Sequence, residues 1–138
     1  MTWTEPIVLE LRPAQPPKSL NALLGASKWP VASFIKTWRA SACMAASRAG
    51  VAPLIGGQPA HVWLEVAFTQ NRRRDEMSYV GALKAVTDGL VDAGCWPDDT
   101  RDFVVTWGCT WVKAPAGTPH RLIISPALPG TCVHTVAA

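Results

Sequence analysis

Residues 103–114, "FVVTWGCTWVKA", alternate so regularly that they constrain the fold before anything else does. Phe103, Val105, Trp107, Cys109 and Trp111 fall on one side of an extended chain, with Thr106, Gly108 and Thr110 among those on the other. A period of two is a strand, and a strand requires partners. Three further segments supply them. "PIVLELRP" sets Ile7, Leu9 and Leu11 against Val8, Glu10 and Arg12; "HVWLEVAFTQ" puts Val62, Leu64, Val66 and Phe68 on one face; and "RLIIS" at 121–125 is a short apolar run after the turn "AGTPH".

Two stretches change to helical spacing. In "VASFIKTWRASACMAASRAG", Val31, Ile35, Trp38 and Ala42 form a stripe that Gly50 ends. From Ser78, a good N-cap type, Leu83, Val86 and Leu90 form another, and Gly94 follows the last turn. "PAQPPKSLNALLGASKWP" and "VAPLIGGQPA" are expected to be loops, being rich in Pro and small residues. The order is strand, long loop, helix, strand, helix, strand, strand. It predicts a mixed α+β fold with a single mixed β-sheet flanked by helices, and the short last turn predicts an antiparallel portion. The seven tryptophans are assigned chiefly to the core, with Trp63, Trp107 and Trp111 on strands and Trp38 on a helix face.

The chain of 138 residues, 49% hydrophobic and 17% charged, fits one globular domain spanning 1–138. A formal net charge of +3 permits a polyanionic partner without requiring one. Cys43, Cys95, Cys109 and Cys132 contain no C-x-x-C pair, so four reduced thiols are expected rather than zinc or a disulfide framework. No basic segment followed by an apolar stretch opens the sequence, and no segment approaches the ~20 apolar residues of a membrane span. A soluble cytoplasmic protein with no membrane partner is expected.

Phosphate-binding glycine loops, nucleophile elbows and H-E-x-x-H zinc sites are all missing; His61, His120 and His134 are scattered and read as surface or strand-end residues. What clusters is acidic. Asp75 and Glu76 lie where a strand hands over to a helix, and Asp98 and Asp99 lie in the loop after that helix. They converge only if the strand after "PDDT" runs beside the one before "NRRRD". Converged carboxylates would repel unless a cation sat between them, and a hard divalent ion suits oxygen ligands. Unconverged, "PDDT" is an ordinary Asx-type turn. Lys84 and Asp88 are one helical turn apart: either a solvated pair or, with Lys84 turned to a phosphoryl oxygen, part of a site. Arg72, Arg73 and Arg74 are either a solvated strand end or guanidinium forks for phosphate.

In combination, "RRRD", the helix "LKAVTDGLVDAG" and "WPDDT" resemble the RusA family of Holliday junction resolvases, small endonucleases common in phages and prophages. "PPKSLN" at 16–21 resembles the family's Pro-Pro-x-Ser-x-Asn segment, and the likeness runs from about Pro16 to Val105. The resemblance implies a homodimer that binds four-way DNA junctions and makes paired symmetric cuts with Mg²⁺, for which Mn²⁺ can substitute, in a bacterial host with phage or prophage origin. It implies Asp75 and Asp99 as metal ligands, with Asp98 accompanying Asp99, and Lys84 as the lysine needed for cleavage. Arg72, Arg73 and Arg74 match the basic run, and Lys18, Asn21 and Lys28 are the candidate DNA contacts of the preceding loop. The family's Asp-x-Asp-Asn reads Asp75-Glu76-Met77-Ser78 here. A thioether is a poor ligand for a hard metal, so Glu76 is assigned as the stand-in and Asp88 as a more distant one. Two alternatives stay open: a junction-binding homologue without cleavage, and a hydrolase of small phosphate compounds.

Overall fold

A computed structural model of the chain describes residues 2–14, 16–17, 28–70 and 79–127, with the side chains of 28–30 excepted. The strands are β1 (Ile7–Leu11), β2 (Ala60–Phe68), β3 (Val104–Lys113) and β4 (His120–Pro126). The helices are α1 (Lys28–Ala49), α2 (Val51–Ile55) and α3 (Val80–Asp92). The expected mixed α+β architecture is present: one four-stranded sheet of order β1-β4-β2-β3, with β2 and β3 parallel and β4 antiparallel to both of its neighbours.

This topology decides where the helices go. β1 reaches β2 through α1 and α2, and β2 reaches β3 through α3, both connections stepping the same way along the sheet. Crossovers of the usual right-handed sense then put both helices on one face. The core lies there, built from Leu9 and Leu11 of β1, Val62, Leu64 and Val66 of β2, Leu122 and Ile124 of β4, and the inward stripes of α1 and α3.

Sequence periodicity places β1, β2 and α3 correctly, and four expectations change. The buried stripe of α1 is Phe34, Trp38, Ala42 and Ala46, while Ile35 is exposed, because the helix is rotated toward α3 and away from the Ile35 side. Residues 51–55, expected as loop, form α2, which opens after the left-handed Gly50. Pro53 is tolerated because first-turn N–H groups have no intrahelical acceptor to lose. β3 carries a register shift between Ala60↔Val104 and His61↔Thr106. Its inner face is therefore Val104 and then Trp107, Cys109 and Trp111, not a continuous run from Phe103. Finally, β4 does not pair with β3. It passes β2 and inserts between β1 and β2, although only a short turn separates it from β3. The expected N-cap Ser78 lies outside the described residues.

The two long helices pass closely at Gly89. A Cβ built on Gly89 would come within 2.3 Å of the Arg39 carbonyl oxygen and 2.9 Å of the Ala42 Cβ. Beside it, Arg39 Nε and Nη2 donate to the two carboxylate oxygens of Asp92 at 2.5 and 2.7 Å. Trp3, Trp38 and Trp96 are buried, but Trp63 and Trp107 are 37% and 44% exposed, so the assignment of strand tryptophans to the core does not hold for these two. Cys43, Cys95 and Cys109 are free thiols; Cys132 lies outside the described residues, as does His134. His120 does begin a strand but is no surface residue in character. Its ring lies 5.1 Å from that of Trp38, its Nδ1 accepts the Ala67 N–H at 3.0 Å, and burial lowers its pKa from 6.5.

Gly89→Ala should destabilise the protein by about 1–3 kcal/mol, since the neighbour that must yield is backbone; urea denaturation measures this. A second expectation concerns His120. Its folded pKa lies below the unfolded one, so its neutral form contributes stability that is complete above pH 6.5 and lost as pH falls through that value. The melting temperature should fall on acidification through this range. The slope should shrink in His120→Gln, leaving a residue from His61, which burial also pushes down.

Candidate active site

The site begins with how α3 ends. The N–H of Cys95 bonds the Leu90 carbonyl at 3.1 Å and that of Gly94 bonds Val91 at 2.9 Å, with Gly94 at φ 91°. This is the paired 6→1 and 5→2 closure that a left-handed glycine permits. It turns the chain so that Trp96 enters the core, where its indole N–H donates to the Gln58 carbonyl at 2.8 Å. With Trp96 anchored, "PDDT" is carried back along α3 instead of away from it. Asp98 Oδ1 accepts the Asp99 N–H at 2.6 Å, and the Phe103 and Val104 N–H groups both bond the Thr100 carbonyl at 2.9 Å.

Within this turn the two aspartates have different tasks. Asp98 makes the local backbone bond expected of an ordinary turn residue. Asp99 leaves the turn: its Oδ2 accepts a hydrogen bond from Nζ of Lys84. Lys84 stands on the outward side of α3, opposite the buried Leu83, Val86 and Leu90. It also donates to Asp88 Oδ1 at 3.1 Å, one helical turn on, and its ammonium is 5.9 Å from the ring centroid of Trp107 on β3. One ammonium thus ties two carboxylates from separate segments and lies above an aromatic surface.

Electrostatics follow from this geometry. The hydrogen bond from Lys84 holds the Asp99 carboxyl below its ordinary 3.8, and the same bond, followed by that to Asp88, raises Lys84 above 10.5 against the opposing effect of burial. Asp99 is therefore an anion and Lys84 a cation throughout the neutral range. Lys84 thus faces two carboxylates, Asp88 and Asp99, and Asp88 also acts on Arg39.

The condition for convergence is met, since β3 runs beside β2, and Lys84 and Asp99 come together on the outer side of α3. Asp75, Glu76, Arg72, Arg73, Arg74, Lys18 and Asn21 lie outside the described residues, as does the side chain of Lys28, although its backbone opens α1. Sequence reasoning treated Asp88 first as a helical partner of Lys84, and it is one. It missed Trp107 as a neighbour of the site, because alternation cannot distinguish the inner face of a central strand from that of an edge strand such as β3.

Among the described residues, no three His, Cys, Asp or Glu side chains are grouped to hold a metal ion. Two carboxylates on one point nevertheless suit Mg²⁺, which is commonly held through one or two carboxylates with waters and substrate phosphates completing its shell. Asp99 and Asp88 are the described residues that would hold it. No protein-family model matches the chain, and no curated protein matches it. No described helix is long and apolar enough to cross a membrane.

Because the Lys84 side chain is 50% exposed, its ion pair contributes little to folding. Asp99→Asn should lower stability by no more than about 1 kcal/mol in urea denaturation at neutral pH. The pair's contribution is complete between the ordinary values of 3.8 and 10.5; it is lost as pH falls below the first, protonating Asp99, or rises past the second, discharging Lys84.

Proposed function

We propose that the chain is a divalent-metal-dependent, structure-selective DNA endonuclease that resolves four-way junctions by paired symmetric phosphodiester cleavage, acting as a homodimer. The observation that carries this reading is the joining of Lys84 and Asp99, 15 residues apart in sequence, at an exposed point on α3. These are two of the three residues to which the RusA likeness assigns catalysis. The third, Asp75, precedes Tyr79 by four positions, and the five helical steps from Tyr79 to Lys84 rise only about 7 Å. Asp75 and Glu76 are thus within chain reach of the Lys84 group.

Bound Mg²⁺ would supply activation of a water and neutralisation of phosphoryl charge. The residues do the rest. Asp99 and Asp88, joined by Asp75 and Glu76, present the oxygen ligands. Lys84, whose side chain is 50% exposed, would stabilise the negative charge that grows on the scissile phosphate as the attacking oxygen bonds phosphorus and the leaving P–O bond breaks. Arg72, Arg73 and Arg74 would grip flanking phosphates, and Lys18, Asn21 and Lys28 a second stretch of backbone. A two-fold dimer suits a substrate of approximate two-fold symmetry, since it presents equivalent sites to opposed strands.

A specific feature favours a second reading, junction binding without cleavage. Met77 stands where the family places its second aspartate, and Lys84 already neutralises the carboxylates without a metal. One assay separates the two. A labelled synthetic four-way junction is incubated with Mg²⁺, Mn²⁺ or EDTA, with Asp99→Asn and Lys84→Met alongside. Expected are paired nicks that require metal and fall by about 10²-fold or more in each variant. Tight junction binding without nicks under any metal supports the binder. Equal treatment of junction and linear duplex would overturn both.

A further inference from the structure

A second concave feature lies at the opposite edge of the sheet from β3. β1 is an edge strand, paired only with β4 among the described residues. Between β1 and α1 runs a cleft of about 840 Å³. Its helix wall carries Lys36, Ala40, Met44 and Arg48 at four-residue spacing, beside Thr37, Ser41, Ala45 and Ala49, and its strand wall includes Val8 and Arg12. Met44 is 50% exposed, so a large apolar side chain of the helix wall remains open to solvent. The ionisable groups of the lining are three cations, Lys36, Arg48 and Arg12, against the single carboxylate of Glu10. Arg12 is held in place by donating to the Gly117 carbonyl at 2.6 Å.

We propose that this cleft receives an extended acidic peptide segment of a partner protein, which adds to the free edge of β1 as a further strand. The main chain of such a segment would pair with the unpaired backbone groups that any edge strand presents. Alternate side chains would then point into the cleft, apolar ones against Met44 and Ala40, and carboxylates toward Lys36 and Arg48. Charge argues against a second copy of the chain, which would bring a cleft carrying the same excess of cations. The exposed Met44 argues against nucleic acid, because a thioether offers nothing to a phosphate, whereas an amide backbone matches a strand edge. The cleft stands independently of the Lys84 site, so the endonuclease reading can fail without affecting it.

The probe is a short fluorescein-labelled peptide repeating Glu-Glu-Val-Val, so that each alternate set carries both residue types, titrated with the full chain and followed by anisotropy. Saturable binding is expected, weakened roughly tenfold or more by Lys36→Glu with Arg48→Glu. Both residues are exposed, so the variant's unchanged melting temperature serves as the folding control. N-methylation of one alternate set of peptide residues should abolish binding while the other set is tolerated, the signature of pairing along one strand edge. Equal binding of a lysine–valine peptide, indifference to the double variant, or no binding would overturn the proposal. So would displacement of the peptide by duplex DNA, which would assign the cleft to nucleic acid. A concentration-dependent dimer abolished by the double variant, with no peptide binding, would give it to a second copy and overturn the proposal equally.

Discussion

The close passage of α3 over α1 at Gly89 sets the positions of nearly everything described above. Both helices must fit on one face of a four-stranded sheet, and they do so only because one of them lacks a side chain where the backbone of the other passes. A methyl group at that point would meet a carbonyl oxygen, which cannot move without moving α1. The Arg39–Asp92 pair lies beside this contact, a guanidinium fork against a carboxylate, and it strengthens both charge states by direct hydrogen bonding. Its exposed location limits its energetic weight, but a bidentate pair restrains rotation of one helix against the other. The rotation of α3 in turn determines that Leu83, Val86 and Leu90 face inward and that Lys84 and Asp88 face out. A turn of the helix by one position would bury the lysine and dissolve the site.

The loop after α3 depends on the same frame through Trp96. Its burial, and the indole N–H given to Gln58 at the end of α2, draw "PDDT" back along the helix. Asp99 then meets Lys84 without requiring the helix termini to approach each other, which geometry forbids. Lys84, Asp88 and Asp99 are each at least partly wet. That combination stores little folding energy. It suits groups that exchange partners, because an exposed ammonium can leave two carboxylates at small cost where a buried one could not.

How much of this could be read from the sequence depends on what each residue's pattern reports. Leu9 and Leu11, Val62 to Val66, and Leu83, Val86 and Leu90 were legible because each faces one core and nothing else, so period and burial agree. Ile35 misled because α1 touches both the sheet and α3, and its buried stripe lies between the two directions; Phe34 and Ala46 mark the true face. Trp107 and Trp63 misled because a tryptophan on a strand looks like core, whereas an edge strand or the open face of a one-sided sheet leaves it half wet. The place of β4 was not legible at all. Hydrophobic alternation says that 121–125 is a strand, but not that it will pass over β2 to lie beside β1. The pairing of Lys84 with Asp99 was not legible in the sequence, which offered Asp88 as the lysine's partner. No local pattern states that a loop folds back along the helix it has just left.

Among the described residues α1 and α3 lie on one face of the sheet, and the opposite face carries side chains of the strands themselves. Trp63 lies flat over Gly108, whose missing side chain leaves the room, and its indole N–H reaches Thr110 at 3.2 Å. Next to it Arg121 and Glu65 form a two-bond ion pair across neighbouring strands. The two edges of the sheet differ in what they carry. At the β3 edge, Trp107 brings the strand up to Lys84 and its carboxylates. At the β1 edge, cations and the open side chain of Met44 line a cleft. β4 and β2 lie between the two edges, so an occupant at one need not touch the other. A four-stranded sheet can therefore carry a lysine–carboxylate group at one edge and a cleft rich in cations at the other, with two strands keeping them apart.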